Sequence, residues 1–335
     1  MIKVAILGAS GYVGGELMRL IAAHPAMAVG VAYGASSAGE KIAVVHPHLA
    51  LAQPEMRFAA WDASLLAGCD LIFAALPHGE TQRLADELLA PGIPLVDLGA
   101  DFRLNDAATF ERWHGEPHAR PDLLPSFTYG LPEFFREAIA GSKRVAAPGC
   151  YPTAASLALR PLVEAGVIET AGIIVDAASG VSGAGRAASS GTHFCSIDGN
   201  FRAYGLTGHR HTAEMEMVAG ASVLFTPHLM ATSRGILATC YAKATGPCDP
   251  LAILRAAYAG ERFVHVGEAL PESKWATGSN AAFLSACYDE RTGTVIALAA
   301  LDNLGKGAAG QMIQCANLML GLDEGAGLSP IGIFP

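Results

Sequence analysis

A single cysteine, Cys150, stands in the stretch APGCYPTAA, between a Pro-Gly pair and a Tyr-Pro-Thr run. The residues after it favour a helix, and Pro152 falls in the first turn, where proline is tolerated. A thiol at a helix N-terminus has a lowered pKa, because the helix dipole favours the thiolate. The same N–H groups can hold a developing oxyanion. Cys150 is therefore predicted to be a nucleophile; the alternative is an apolar core residue, since free cysteine is often buried.

A nucleophilic thiol needs a proton partner, and the stretch GLTGHRHTAEMEM supplies two histidines in a loop-like region. His209 or His211, oriented by the nearby carboxylate of Glu214, suits general acid–base catalysis. A metal site is the alternative, since His-x-His places two rings on one face of a strand. Because no third histidine or cysteine ligand lies nearby, we expect no metal.

Three glycines, Gly8, Gly11 and Gly14, follow the apolar run IKVAIL and precede a helical pattern. Glycine lets the backbone turn sharply and approach a pyrophosphate, while the N-terminus of the helix offers unpaired N–H groups. This strand–turn–helix context predicts a dinucleotide site. The alternative is a tight turn without a ligand.

The end of the second predicted strand indicates which nicotinamide cofactor binds. NAD sites usually carry an acidic residue there, about 20 residues after the glycines. This chain reads VAYGASSAGEK, and its first acid is Glu40. Ser36 and Ser37 can donate hydrogen bonds to a 2′-phosphate; the alternative is that they only decorate a loop. We therefore predict NADP (NADPH) as the cofactor.

The composition of the 335 residues limits the function. The net charge is −9 and 51% of residues are hydrophobic, and an acidic chain of this kind does not suit nucleic acid. No apolar run approaches the ~20 residues of a membrane-spanning helix, and the first residues lack a secretory pattern, so we expect a cytoplasmic protein. The seven cysteines are scattered without a CxxC pair, which indicates reduced thiols. Apart from Cys150, they are expected in the apolar core.

The order of elements predicts two architectures in an α/β protein. Short apolar strands alternate with helical patterns at first, which indicates βαβ units and a parallel sheet. After Cys150 come longer β-rich runs, which indicate a mixed or antiparallel sheet. We predict a Rossmann-type doubly wound domain, residues 1–149 plus 306–335, with an inserted α+β catalytic and oligomerisation domain, residues 150–305. A kink or break is expected at Pro161, and an amphipathic helix over Lys306–Leu322.

Nine segments, in order, resemble one enzyme family: the N-acetyl-γ-glutamyl-phosphate reductases of arginine biosynthesis. The aspartate-semialdehyde dehydrogenases are similar more distantly, but they carry Asn where this chain has Gly149. The segments are GASGYVGGEL, HPHL, FAALPHG, DLGADFRL, YGLPE, APGCYPTAA, SGVSGAGR, GHRHTAEME and DNLGKGAAGQ.

The resemblance implies a role for several residues at the reacting centre. Cys150 corresponds to the family's nucleophile and His209 to its acid–base histidine. His211 and Glu214 match its supporting residues.

Two arginines and two loops gain a role in the same way. Arg103 resembles the arginine that meets the phosphate. Arg202, seven residues before the acid–base histidine, resembles the one that holds the substrate carboxylate in the aspartate enzymes. The loops Ser182–Gly185 and Asp302–Gly307 look like loops that close on the cofactor. The predicted cofactor-binding residues are Gly8, Ser10, Gly11, Tyr12, Val13, Gly14, Ser36, Ser37, Pro77, Ser182, Gly183 and Asn303.

The resemblance implies an activity: NADPH-dependent reduction of N-acetyl-L-glutamyl 5-phosphate to the semialdehyde and phosphate through a thioester on Cys150. His209 would take the thiol proton and later protonate the hemithioacetal oxygen. One alternative is a reductase of carrier-protein-linked aminoadipyl or glutamyl phosphate in lysine biosynthesis, and another is a non-catalytic NADP-binding sensor. We expect a homo-oligomer, a dimer or tetramer built through the second domain's sheet, with no nucleic-acid or membrane partner.

Overall fold

A computed structural model describes all 335 residues, which divide into two compact units. The first unit comprises residues 1–111, 116–148 and 308–328, and the second comprises residues 112–115, 149–307 and 329–335. Each unit has its own sheet. The domain boundaries expected from the sequence remain a prediction.

Six strands form the sheet of the first unit. They are β1 (Ile2–Leu7), β2 (Met27–Tyr33), β3 (Leu71–Ala74), β4 (Leu95–Asp97), β5 (Thr128–Tyr129) and β6 (Arg144–Ala146). Their order is β2-β1-β3-β4-β6-β5, and all neighbours are parallel. Strands β3 and β4 are buried throughout, as in parallel sheets that are covered on both faces. The predicted Rossmann-type parallel sheet is confirmed.

Seven strands form the sheet of the second unit. They are β7 (Ile173–Gly180), β8 (Phe201–Ala203), β9 (Val223–Met230), β10 (Ile236–Lys243), β11 (Val264–Val266), β12 (Ala282–Asp289) and β13 (Thr294–Leu301). Their order is β11-β12-β13-β10-β7-β9-β8. Parallel pairs (β7 with β9, β11 with β12) stand among antiparallel ones. The expectation of a mixed sheet is confirmed.

Eleven α-helices complete the two units. They are α1 (Tyr12–Ala22), α2 (Ile42–Val45), α3 (Glu80–Arg83), α4 (Ala85–Leu89), α5 (Ala107–His114), α6 (Pro132–Ala140), α7 (Cys150–Glu164), α8 (Phe194–Ile197), α9 (His211–Ala219), α10 (Pro250–Ala257) and α11 (Gly310–Met319). None of them has the length and apolar character that crossing a membrane requires.

One face of the second sheet is covered by helices and the other is open. Helices α7, α9 and α10 contact its strands. Side chains alternate along β7, so Ile173 is buried while Ile174 is 39% exposed. Leu224 and Tyr241 lie opposite Ile174 on the two neighbouring strands and are also exposed. We call the side of the sheet that carries this apolar row the open face.

Helix α7 contains Pro161 and nevertheless continues from Cys150 to Glu164. The expectation of a break at Pro161 is therefore wrong, and a kink there stays a prediction. Proline lacks the N–H that would bond the carbonyl of Leu157. The hydroxyl of Tyr258, at the end of α10, donates to that carbonyl oxygen at 2.6 Å. Because the freed acceptor is satisfied, the helix can continue past Pro161.

Three cysteines lie outside the core, so the expectation of six core thiols is wrong for them. Cys195 in α8 and Cys287 in β12 are exposed, and Cys248 is half-buried. Cys287 lies on the open face because side chains alternate along a strand. The core thiols are Cys69, Cys240 and Cys315.

Residues 310–317 of the last helix are buried on every side, so the expectation of an amphipathic helix over Lys306–Leu322 is wrong. A π-helix, Gly305–Ala309, precedes α11. The polar side chains of α11 are buried as well. Asn317 donates to the carbonyls of Glu324 and Ala326, so a following segment of the first unit covers the face that the pattern assigned to water.

Replacing Tyr258 with Phe removes only the hydroxyl and leaves the carbonyl of Leu157 buried without a donor. An unsatisfied buried acceptor costs about 1–3 kcal/mol, so the free energy of unfolding in urea should fall by that amount. In a Pro161→Ala background the backbone N–H of position 161 can supply the donor, and the same Tyr258→Phe change should cost less. An equal cost in both backgrounds contradicts the capping role.

Candidate active site

Cys150 is the first residue of α7, as predicted, and Gly149 precedes the helix with no side-chain cap. The N–H groups of the first turn can stabilise negative charge on the sulfur or on an adjacent oxygen. Cys150 lines a pocket of about 390 Å³ within the second unit. The pocket is lined by Cys150, Tyr151, Ser179, Gly183, Ala184, Ser189, Thr192, Arg202, Tyr204, His209, Arg210, His211 and Leu229.

A buried carboxylate holds the turn that carries the thiol. Glu214 is 3% exposed, and its Oε2 accepts a hydrogen bond from the N–H of Gly149 at 3.0 Å. A Cβ on Gly307 would lie 2.8 Å from the Cβ of Cys150, so only glycine leaves room there. The position of the thiol therefore depends on Glu214 and on the missing side chain at Gly307.

His209 lies in the pocket wall among aromatic rings, with its ring centroid 5.6 Å from that of Tyr204 and 5.3 Å from that of Phe225. Its Nδ1 accepts a hydrogen bond from the N–H of His211 at 3.2 Å, which assigns the proton of the neutral ring to Nε2. Burial, and then the positive charge of Arg210, lower the pKa of His209 to about 4. His209 is therefore neutral at pH 7 and carries an N–H at Nε2.

His211 and Glu214 stand beside these groups, as the resemblance implies. The ring of His211 lies 4.7 Å from that of His209, and its Nε2 lies 3.9 Å from Oε1 of Glu214. The structure thus brings together Cys150, His209, His211 and Glu214.

Two tyrosines that were not predicted from the sequence as site residues line the pocket. The hydroxyl of Tyr151 donates to the carbonyl of His228 at 2.9 Å, and the hydroxyl of Tyr204 donates to that of Tyr151 at 3.2 Å. Burial raises the pKa of Tyr204 to about 12, so its hydroxyl stays protonated at neutral pH. Only the position of Tyr151, directly after the cysteine, offered a signal.

The two predicted substrate arginines lie in different units. Arg202 on β8 lines the pocket, and its Nη2 donates to the carbonyl of Gly191 at 2.9 Å. Arg103 lies in the first unit, is 8% exposed, and donates from Nη2 to the carbonyl of Leu98 at 2.6 Å. A third arginine, Arg210, also lines the pocket. The sequence offered no signal for it apart from its place between the two histidines.

The glycine turn of the first unit fits a dinucleotide. Gly8 has φ +72°, and a Cβ there would lie 2.2 Å from a backbone oxygen. A Cβ on Gly14 would lie 2.4 Å from the backbone of the turn. Helix α1 begins at Tyr12, after Gly11, with no side-chain cap, so its first N–H groups can bind a phosphate. The predicted strand–turn–helix arrangement is present.

The buried ring of His46 contacts this turn, a role that the sequence did not indicate. It is 5% exposed, and its Nε2 lies 2.9 Å from the carbonyl oxygen of Ala9. A Cβ on Gly15 would lie 2.7 Å from its ring. The glycine at the start of α1 therefore makes room for the buried imidazole.

The other predicted cofactor residues lie on several elements, and their cofactor contacts remain predictions. Asn303 is 2% exposed; its Nδ2 donates to Oγ of Ser182 at 2.8 Å, and its Oδ1 accepts from the N–H of Gly235 at 2.8 Å. Asn303 therefore orders the loop of Ser182. Ser10 lies in the glycine turn, Val13 in α1, Ser36 and Ser37 after β2, Pro77 after β3, and Gly183 in the 3-10 helix Val181–Ala184.

Both units match known family models. The semialdehyde dehydrogenase NAD binding domain matches residues 3–142, and the semialdehyde dehydrogenase dimerisation domain matches residues 150–303. Together these matches define the class as the semialdehyde dehydrogenases.

Solved structures show the same fold. Aspartate semialdehyde dehydrogenase II of Vibrio cholerae, complexed with ASA, has a TM-score of 0.71 at 17% identity, over 96% of this chain and 98% of that one. The aspartate semialdehyde dehydrogenase of Candida albicans, solved with NADP, has a TM-score of 0.70 at 15% identity, over 96% of this chain and 98% of that one. The predicted α/β fold class is confirmed.

Curated relatives identify the family within this class. A protein of Symbiobacterium thermophilum is 48% identical over 100% of this chain and 99% of its own length, and one of Ectopseudomonas mendocina is 44% identical over 100% of both chains. Each is named N-acetyl-gamma-glutamyl-phosphate reductase. This chain belongs to the N-acetyl-gamma-glutamyl-phosphate reductase family, as its resemblance suggested.

Replacing Glu214 with Ala should displace the thiol, because the N–H of Gly149 loses its acceptor. We expect kcat to fall about tenfold to a hundredfold, the scale for a misplaced reacting group, and alkylation of the Cys150 peptide by iodoacetamide to slow. Glu214→Gln keeps an acceptor oxygen and should lose less. Glu216→Ala is the matched control, since it removes a carboxylate of the same helix that binds the N–H of Val223. Equal losses in both alanine variants would show only a weakened helix.

Proposed function

We propose that the protein reduces N-acetyl-L-glutamyl 5-phosphate with NADPH to N-acetyl-L-glutamate 5-semialdehyde and phosphate, as a step of arginine biosynthesis. One observation carries the proposal: Cys150 begins a helix in a pocket that also holds His209 and two arginines. An acyl phosphate is already activated toward a thiol, so the reaction needs no metal. None of the seven cysteines forms a disulfide, which favours a reducing compartment, the cytoplasm. Neither alternative from the sequence gains an observation in its favour.

NADP is the proposed cofactor. The turn of Gly8, Gly11 and Gly14 would hold its pyrophosphate, and Ser36 and Ser37 its 2′-phosphate. No acidic residue stands between the end of β2 and these serines, where an NAD site usually places one. When bound, the cofactor supplies the hydride for the reduction.

In the first step the thiolate of Cys150 attacks the acyl carbon. A C–S bond forms, the bond from carbon to the phosphate oxygen breaks, and phosphate leaves with one proton from water. Arginine suits this leaving group, because its planar fork binds oxyanions with two donors, and Arg103 is proposed for that contact. The product is a thioester on Cys150.

In the second step the thioester carbon accepts a hydride and becomes a hemithioacetal with a negative oxygen. Neutral His209 can donate a hydrogen bond from Nε2 to this oxygen. The C–S bond then breaks, which forms the aldehyde and returns the thiolate of Cys150. This sequence needs no proton transfer from the imidazole. We therefore propose that His209 acts in this step as a hydrogen-bond donor, where the resemblance implied that it takes the thiol proton and later protonates the hemithioacetal oxygen.

The reaction is tested in reverse, with NADP+, inorganic phosphate and N-acetylglutamate semialdehyde. NADPH should form only when phosphate is present, and aspartate semialdehyde in a parallel sample should give little. Cys150→Ser should lose activity by about a thousandfold or more and still bind NADP, while Cys195→Ser, on an exposed thiol, should match the wild type. Activity with aspartate semialdehyde alone, silence with both aldehydes, or an active Cys150→Ser variant contradicts the proposal.

We also propose that a second copy of the chain covers the open face, which exposes the apolar side chains Ile174, Leu224 and Tyr241. The match of this unit to a dimerisation domain supports the proposal. The molar mass measured below also distinguishes a dimer from a tetramer of two such dimers.

Leu224→Asp should shift the assembly toward the monomer, because it places a charge in the apolar row. The molar mass is measured by light scattering after gel filtration. Leu51→Asp is the control, since Leu51 is fully exposed in a loop of the first unit. A monomeric wild type, or an assembly that Leu224→Asp leaves intact, contradicts the open-face interface.

A further inference from the structure

We propose that Arg210 binds an oxyanion of the substrate in the Cys150 pocket. This inference rests on the proposed function and adds a binding residue that neither the sequence motifs nor the resemblance assigned. The ligand class is an anionic acyl chain that carries a carboxylate or a phosphoryl group.

Arg210 has the position for such a contact. It is the residue before α9 and lies between His209 and His211. All three line the pocket that contains Cys150. Arg210 is exposed, so its guanidinium can meet a ligand from solvent without the cost of a buried charge.

The pocket wall carries positive charge in an acidic protein. The net charge of the chain is −9, yet the wall contains Arg202 and Arg210 and no aspartate or glutamate. Glu214 is buried and does not line the pocket, and its Oε2 accepts the N–H of Gly149. A wall of this composition attracts anions.

The two arginines of the wall come from different elements. Arg202 lies on β8 and is held by the carbonyl of Gly191, in the loop that also carries the hydroxyls of Ser189 and Thr192. Arg210 stands at the start of α9. Two guanidinium groups with separate supports can contact a bound anion at two separate points. The substrate of the proposed reaction offers two oxyanions, its carboxylate and its phosphoryl group, and either of them can be the partner of Arg210.

Arg210 also affects His209, which gives a measurement that does not need turnover. After burial, the charge of Arg210 is the second cause of the lowered pKa of His209. An anion on Arg210 should cancel part of that charge and raise the pKa of His209. The other titratable or charged groups around this imidazole are Cys150, Tyr151, Arg202, Tyr204, His211 and Glu214.

The kinetic test compares three variants in the reverse assay. Arg210→Gln removes the charge, Arg210→Lys keeps a cation without the planar fork, and Arg291→Gln removes an 83% exposed arginine outside the pocket. Arg210→Gln should raise the KM of one anion about tenfold to a hundredfold, the scale of a charge-assisted hydrogen bond. Arg210→Lys should raise it less, and Arg291→Gln should leave it unchanged.

Two arms of this assay identify the oxyanion. The KM of phosphate is measured at saturating semialdehyde, and the KM of the semialdehyde at saturating phosphate. The semialdehyde is then replaced by 4-acetamidobutanal, which lacks the carboxylate. A rise confined to phosphate assigns the phosphoryl group, and a rise for the semialdehyde that 4-acetamidobutanal does not show assigns the carboxylate. An unchanged KM for both anions in Arg210→Gln overturns the proposal.

An NMR titration of the His209 ring separates this inference from the proposed function. In the wild type, N-acetyl-L-glutamate or inorganic phosphate should raise the pKa of His209. In Arg210→Gln the pKa of His209 should already be higher, and either anion should raise it by less than in the wild type. If the wild type has no turnover but shows this response, the proposed function is contradicted and the anion site is supported. If turnover of the wild type is normal but the pKa of His209 responds equally in the wild type and in Arg210→Gln, only the anion site is contradicted.

Discussion

The hydrogen bond from the N–H of Gly149 to the carboxylate of Glu214 is the contact on which the reactive part of the structure depends. It joins the start of α7 to α9, and the two helices also pack against each other. Helix α9 begins directly after His209 and Arg210. One pair of helices therefore positions the thiol of Cys150, the imidazole of His209 and the guanidinium of Arg210. Reaction rates fall steeply when such groups are displaced.

The features that could be predicted from the sequence are local. Gly8 and Gly14 are needed within one turn, where a side chain would collide with the backbone. Cys150 begins its helix because Pro-Gly stops the preceding strand and Pro152 suits a first turn. The two sheets were predictable in kind, because the length and spacing of apolar runs differ between parallel and mixed sheets.

The features that could not be predicted depend on partners far along the chain. The break at Pro161 was a sound local expectation, but the donor for Leu157 comes from Tyr258, 101 residues later. The polar residues of α11 are buried by a segment that follows the helix. No sequence motif indicates a role for Arg210, and only the structure shows that it lines the same pocket as Cys150.

The most direct test of the central claim, a thioester on Cys150, is a single turnover without cofactor. Freshly prepared N-acetyl-L-glutamyl 5-phosphate is mixed with the protein in the absence of NADPH. Phosphate release is followed in solution, and the peptide with Cys150 is followed by mass spectrometry. The account predicts a burst of one phosphate per pocket and an N-acetylglutamyl group on Cys150 that hydroxylamine removes. No phosphate burst, or a burst with the acyl group absent from that peptide, contradicts it.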